Sequence, residues 1–421
     1  MSGATMAHLR DLGQWSGGNT PSKANAAYWT DGTIPWVSPK DMKVDEITSS
    51  GDRVSEAALK EGRVSLVPEG SVLIVTRSGI LSHTLPVAVT KTAVTINQDL
   101  KALTLKPGFL PKYVAHALRG ASRRILNQCS KHGTTVASIE TNALLDFEIP
   151  LVDLDQQRRI VAEIEKQFSR LDEAVANLKR VKANLKRQRS SVLQAVTSGR
   201  LAAEGQSAPR QGEWRWLTIE ELASAAPRSI QSGPFGSNLR HSEFRPSGKL
   251  VIGIDNVRDG EFSIGSNHRI SEAKFRELEK YAARPGDVLI TVMATIGRVC
   301  VVPDDIEPSI ITKHVYRITV NRKLAIPDYV AIALRGSPEV RQQLMDSVQG
   351  QTRPGLNGGL IKKIRLPVPP LAYQQSVVAE VDRRLSIVRE VEAEVDANHR
   401  RAQALRQAVL ARAFSVVSEH A

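Results

Sequence analysis

From Gln156 to Ser198, and again from Ala372 to Ala421, the chain contains neither proline nor glycine. Apolar residues in both stretches recur at steps of four and three, strictly alternating at the start of the first. The first carries Ile164, Phe168, Leu171, Val175 and Leu178, then Leu185, Val192 and Val196. The second carries Val381, Leu385, Val388, Val391 and Val395, then Ala402, Leu405 and Val409. This spacing predicts two long helices with the narrow seam of a coiled coil. A helix of ~40 residues rising 1.5 Å per residue is a rod of about 60 Å, longer than a domain of ~150 residues is wide, which weighs against each helix folding back on its own domain.

Before each helix the texture differs. Short β-branched runs, Val72–Thr76, Pro86–Thr90, Val288–Val292 and Arg298–Val302, alternate with Gly, Pro, Asn and Asp, as strands alternate with turns. Helical segments over 112–127 and 328–347 interrupt them. These regions also repeat: Tyr113–Gly120 and Tyr329–Gly336 are identical at seven of eight positions, at an offset of 216. Gly70, Val72, Leu73 and Ile74 lie over Gly286, Val288, Leu289 and Ile290, and Val161-Ala162-Glu163 matches Val378-Ala379-Glu380. Blocks in one order at nearly one offset mean a duplicated unit of about 210 residues. The expected fold is mixed α/β (α+β): two tandem globular units, each followed by a long helix. The two helices are expected to pair as an antiparallel coiled coil with pseudo-twofold symmetry.

Charge changes the picture more than composition does. Lys plus Arg number 57 against 44 Asp plus Glu, a net charge of +13, which favours a polyanionic partner such as nucleic acid. Two units at a fixed spacing suit a split site on DNA, whose half-sites repeat about every ~34 Å. No apolar run approaches the ~20 residues that span a bilayer, and the first residues lack a signal-like apolar segment, so the chain reads as cytoplasmic. Cys129 and Cys300 are too isolated for a zinc site and read as unpaired thiols.

Catalytic motifs are missing. Gly17 to Lys23 has Ser22 where a phosphate loop needs glycine before lysine, so a turn is the better reading. Asp41-Met42-Lys43 and Glu272-Ala273-Lys274 have an acid-x-lysine spacing without a suitably placed preceding strand. No dinucleotide or adenosylmethionine loop, H-E-x-x-H or G-x-S-x-G occurs. Neither a metal nor a cofactor is expected in this chain.

Hydrogen-bonding side chains do cluster in the predicted loops of both halves. The first half offers Ser38, Lys40, Thr76, Arg77, Asn97, Gln98, Lys131, His132 and Thr134. The second offers Gln231, Asn238, Arg240, His241, Lys313, His314, Gln351 and Arg353. Arg, Lys, Asn and Gln read base edges, and Ser and Thr anchor phosphates.

Gly18-x-Thr20-Pro21-Ser22, Ile34-Pro35-Trp36-Val37-Ser38-Pro39-Lys40-Asp41, Thr76-Arg77-Ser78-Gly79, Asn97-Gln98 and the Gln156-Gln157 junction resemble the specificity subunit of type I restriction-modification systems. Gly233-Pro234-Phe235-Gly236-Ser237, Gly286-Asp287-Val288 and Pro369-Pro370-Leu371 with Gln374-Gln375 resemble it again in the second half. The resemblance implies target recognition domains at 1–155 and 201–372, each reading one half of a bipartite double-stranded DNA target. It implies helices at 156–200 and 373–421 that set the spacer and dock two methyltransferase (modification) subunits, joined by motor-nuclease (restriction) subunits. Adenosylmethionine, ATP and magnesium then belong to those partners, and this chain is non-catalytic. Ile164, Phe168, Leu171, Leu178, Leu185, Val381, Leu385, Val388, Val395 and Leu405 are the expected seam and docking residues. The alternatives are a coiled-coil scaffold and a two-domain DNA-binding protein without such partners. A single-chain methyltransferase or nuclease would need the missing loops.

Overall fold

A computed structural model describes residues 5–131, 136–201, 209–265, 268–348 and 355–418. The chain forms two compact units, Met1–Lys179 with Asp396–Ala421, and Arg180–Val395.

The first unit contains β1 (Thr5–His8), β2 (Gly13–Gly17), β3 (Ile34–Val37), β4 (Glu46–Ile47), β5 (Asp52–Val54), α1 (Glu56–Lys60), β6 (Val72–Val75), β7 (Val87–Thr90), β8 (Thr95–Ile96) and β9 (Leu100–Leu105). It continues with α2 (Pro111–Gly120), α3 (Ser122–Cys129), α4 (Thr141–Asp146), β10 (Glu148–Leu151) and the start of α5 (Leu154–Thr197). A five-stranded sheet has the order β2-β9-β6-β7-β4, a three-stranded sheet β5-β3-β8, and β1 pairs with β10. Val72 to Val75 are buried without interruption, which is why that strand reads as a continuous apolar run rather than an alternating one.

The second unit contains β11 (Arg215–Thr218), α6 (Ile219–Leu222), β12 (Ile230–Ser232), β13 (Lys249–Ile252), β14 (Val257–Arg258), β15 (Glu261–Phe262), β16 (Arg269–Ile270), α7 (Glu272–Leu278), β17 (Ala282–Ala283), β18 (Val288–Thr291), β19 (Val299–Val301), β20 (Ser309–Ile311) and β21 (Val315–Ile318). Then come α8 (Pro327–Gly336), α9 (Pro338–Val348), α10 (Gly358–Lys363), β22 (Arg365–Val368) and α11 (Leu371–Ser418). Its sheets run β12-β21-β18-β19 and β16-β13-β20-β17, with β11 on β22 and β14 on β15. The duplication extends to register: Val72 faces Leu103 in the first unit and Val288 faces Ile318 in the second.

The helical segment predicted in each half is two helices. In the second unit Pro338 opens α9 and Ser337 Oγ accepts from Val340 N at 3.4 Å, because a proline cannot continue the preceding helix's hydrogen bonding. Gly336 ends α8 where a Cβ would lie 2.6 Å from Leu193 O of α5.

Residues 154–179 of α5 pack beside 396–418 of α11 in the first unit, where Arg406 pairs with Asp172 at 2.7 Å. Residues 180–197 and 371–395 pair in the second, where Arg189 meets Glu392 at 3.0 Å. The pairing is antiparallel. Ile164 and Phe168 join Leu410 and Phe414 in the first unit's core, while Val192, Val196, Val381 and Leu385 join the second unit's core. Leu185, Val388 and Val395 are buried, and Leu171 and Leu178 are half-buried. Leu405 is a correction: it is 53% exposed, as is Val391 at 39%. The register of the buried Val381, Leu385, Val388, Val395 and Ala402, continued at steps of four and three, passes through Glu392 and Arg406, which pair across the helices, and leaves Val391 and Leu405 outside it.

Candidate nucleic-acid interface

Each unit presents loops at the ends of a parallel strand pair. In the first unit β3 pairs with β8, Val37 beside Ile96. Asn97 N donates to Val37 O at 2.9 Å, so the loop after β8 is tied to the end of β3. Gly18 lies against this pair, where a Cβ would sit 2.0 Å from Ile96 O, and only glycine permits that approach. Asn19 N then donates to Ile96 O, Trp36 Nε1 donates to Asn19 O at 3.0 Å, and Thr20 Oγ1 donates to Gln98 Oε1. Asn19, Thr20 and Gln98 are thereby held side by side.

The second unit repeats this backbone. Val251 and Ile252 of β13 run parallel beside Ile310 and Ile311 of β20, and Thr312 N donates to Ile252 O at 2.9 Å. A Cβ on Gly233 would lie 2.1 Å from Ile311 O, matching Gly18 over Ile96. The turn after the first strand repeats as well: Ser38 N donates to Asp41 Oδ2 at 2.9 Å, and Gly253 N to Asn256 Oδ1 at 2.8 Å.

Against this frame the expected contact residues divide. Ser38, Thr76 and Asn97 are buried, with their polar groups bonded to Asp41, to Asp99 O and to Asp99 Oδ2. They shape the loops. Lys40, Arg77, Gln98 and Lys131 are exposed. Lys40 is bonded to Asp52 at 2.7 Å, which raises its ammonium above the ordinary value, and Lys131 pairs with Glu140 at 3.2 Å. In the second unit Asn238, Arg240, His241 and Lys313 are exposed, and Gln231 and His314 are half-buried. Burial, then Lys313, lowers the pKa of His314, favouring the neutral ring. Gln231 Oε1 and Thr312 Oγ1 have no hydrogen-bond partner among the described residues. His132, Thr134, Gln351 and Arg353 lie outside the described residues.

Two features escaped the sequence reading. An open cleft of about 820 Å³ in the first unit is lined by Asn19, Thr20, Ser22 and Gln98 together with Asn25 and Arg63, which bring amides, hydroxyls and one guanidinium, and by Pro21, Tyr28 and Gly62. Arg63 follows Gly62 at the end of α1, a turn with no sequence signal of binding. In the second unit Phe235 stands 58% exposed beside Gly236, and Phe244 stacks on His268 at 4.7 Å with His241 edge-on at 5.6 Å. Hydroxyls, amides, cations and exposed rings are the groups that contact phosphates, base edges and base faces.

The family model for the type I restriction modification DNA specificity domain matches residues 1–187 and 239–393. The chain belongs to this family. Specificity-domain relatives include the EcoR124I/EcoR124II specificity subunit of Escherichia coli, 40% identical over 158 residues, 38% of this chain and 39% of that protein. The EcoBI specificity subunit of Escherichia coli is 26% identical over 312 residues, 72% of this chain and 65% of that one. The chain thus spans between 39% and 65% of the length of these two relatives. Among solved structures, a chain from a type I R-M system studied for complex assembly and conformational transition superposes with a TM-score of 0.70 at 20% identity, covering 98% of both chains. The HsdS subunit from Thermoanaerobacter tengcongensis gives 0.50 at 19% identity, over 98% of this chain and 97% of its own. These likenesses are of fold, over 98% of this chain. Among the described residues no helix is long and apolar enough to cross a membrane.

Proposed function

We propose that this chain is the DNA sequence-recognition subunit of a type I restriction-modification complex. Each globular unit reads one half of a bipartite duplex target through the loops after β3 and β8, or after β13 and β20. The two long helices set the distance between half-sites and dock methyltransferase and restriction subunits, which carry the chemistry. The proposed recognition domains are 1–155 and 201–372, and the helices that follow them are α5 (Leu154–Thr197) and α11 (Leu371–Ser418). The observation that carries this reading is one backbone frame occurring twice, each time presenting exposed hydrogen-bonding or cationic side chains, in a chain of the specificity-domain family.

The test is spacing. Four residues added in register at the end of α5 advance the chain by about 6 Å, near two base pairs at ~3.4 Å per step. Methylome sequencing should show both half-sites retained and the unread interval between them altered. A changed half-site with an unchanged interval would refute the ruler.

A further inference from the structure

Each long helix is joined to its globular unit by one buried glutamine. Gln157, the fourth residue of α5, is 1% exposed. Its Oε1 accepts from Leu110 N at 2.9 Å, and its Nε2 donates to Gly108 O at 3.2 Å and to Val152 O at 2.9 Å. Gln374, the fourth residue of α11, is fully buried. Its Oε1 accepts from Ile326 N at 2.9 Å, and its Nε2 donates to Leu324 O at 3.2 Å and to Pro369 O at 2.8 Å. A buried tyrosine completes each set: Tyr113 Oη donates to Pro150 O and Tyr329 Oη to Pro367 O, both at 2.8 Å. All eight bonds correspond between the two halves, atom for atom.

Leu110 and Ile326 are the N-caps of α2 and α8, and residues 150–152 and 367–369 lead from the last strand into the long helix. The glutamine therefore bridges the start of a domain helix, the loop before it and the root of the long helix. Only a primary amide offers one acceptor and two donors in a single plane; a carboxylate would face two carbonyls with no proton to give. Direction at the root matters because of leverage. A helix of 44 residues is about 66 Å long, so a tilt of ~5° at its base moves its far end by about 6 Å, close to two base-pair steps.

We infer that Gln157 with Tyr113, and Gln374 with Tyr329, are positioning residues that fix the direction in which each long helix leaves its recognition fold, and so set how sharply spacer length is discriminated. This rests on the proposed function for the spacer, although the latch itself does not.

Two readouts separate these layers. In the full chain, spin labels at the exposed positions Glu69 and Glu173 report the angle between the first unit's sheet and α5. Gln157→Met keeps the side chain's length and approximate shape but replaces the amide with an apolar thioether that makes none of the three bonds, and should broaden the distance distribution. Tyr113→Phe, which keeps the ring and loses one bond, should broaden it less and serves if the methionine variant does not fold. An unchanged width in a folded variant overturns the latch, whatever the chain does with DNA. In DNA binding by the full chain with its partner subunits, Gln157→Met and Gln374→Met should retain both half-sites. Their preference for the native spacer over one a base pair longer should fall by about tenfold. A uniform loss of affinity with the spacer preference intact would mean a merely structural role. If the wild-type complex shows no bipartite preference, the proposed function fails, and the distance distribution alone decides the latch.

Discussion

Acid should weaken the first unit through His116. Its ring is 4% exposed in α2, edge-on to Phe168 at 5.7 Å, and Nδ1 accepts a long hydrogen bond from Arg119 at 3.4 Å. Arginine can only donate, so the ring is neutral with its proton on Nε2. Burial, reinforced by Arg119 and opposed by Asp45, pushes its pKa down from 6.5 to about 4, with Lys112 and Arg406 also facing it. Because the folded value is depressed, the unfolded chain binds the proton more readily between these values. The stabilisation is complete above 6.5 and is lost as pH falls toward 4. Going from pH 7 to 5 should cost about 2 kcal/mol from this residue. Ile332, buried in the second unit, occupies the equivalent position in the repeat, so His116→Ile is the natural control. Urea unfolding, read by hydrogen-exchange protection of the α2 amides, should show wild type losing about 2 kcal/mol more than the variant between the two pH values. Equal losses would show that His116 does not titrate as its surroundings dictate.

A buried ion pair gives a second stability prediction. Asp287 and Arg317 are buried together, with Thr319 Oγ1 donating to Asp287 Oδ1 at 2.6 Å, where the first unit has Ser71, Ala102 and Thr104. Arg317→Ala should cost roughly 3 to 5 kcal/mol in a denaturant titration, while the double change Asp287→Ser with Arg317→Ala, which copies the first unit, should recover much of it. At the interface, Lys313→Ala should either weaken binding on all DNA and flatten the salt slope by about one unit, or relax one base position at about 1 to 3 kcal/mol. No change in affinity, salt slope or sequence preference would remove that loop from the DNA interface.

What was legible in the sequence was what periodicity and repetition encode. Val72 to Val75 and Val288 to Thr291 are strands, the long proline-free stretches are helices, and the repeat extends to strand register. The inward stripe of α11 was less legible, because a step of four or three cannot tell which of Leu405 and Arg406 faces inward. Arg406 does, since its guanidinium lies 4.1 Å from the Phe168 ring centroid and pairs with Asp172. Polar loop residues were the least legible. Asn97 and Gln98 are adjacent amides, yet Asn97 is turned inward onto Asp99 while Gln98 is exposed, a difference set by backbone direction after β8. Gln157 gave no signal of burial from its type, because glutamine usually lies at the surface. Its match to Gln374 at a repeat offset was the available clue.

The frame and its decorations vary independently. Gly18 and Gly233 make the same close approach, and Asn97 N and Thr312 N donate to the same backbone position, so the two units hold their loops in the same way. The side chains carried there are not the same. Two residues after the glycine stands Thr20 in one unit and Phe235 in the other, and the residue after the tied amide is Gln98 in one and Lys313 in the other. A hydroxyl bonded to an amide presents a neutral donor and acceptor surface, whereas an exposed ring and an ammonium offer stacking and positive charge. Base edges that satisfy the first do not satisfy the second. Under the proposed function the two half-sites must therefore differ in base sequence, and the full target cannot be a palindrome. A methylome motif with two identical, inverted half-sites would contradict the assignment of these loops to base reading.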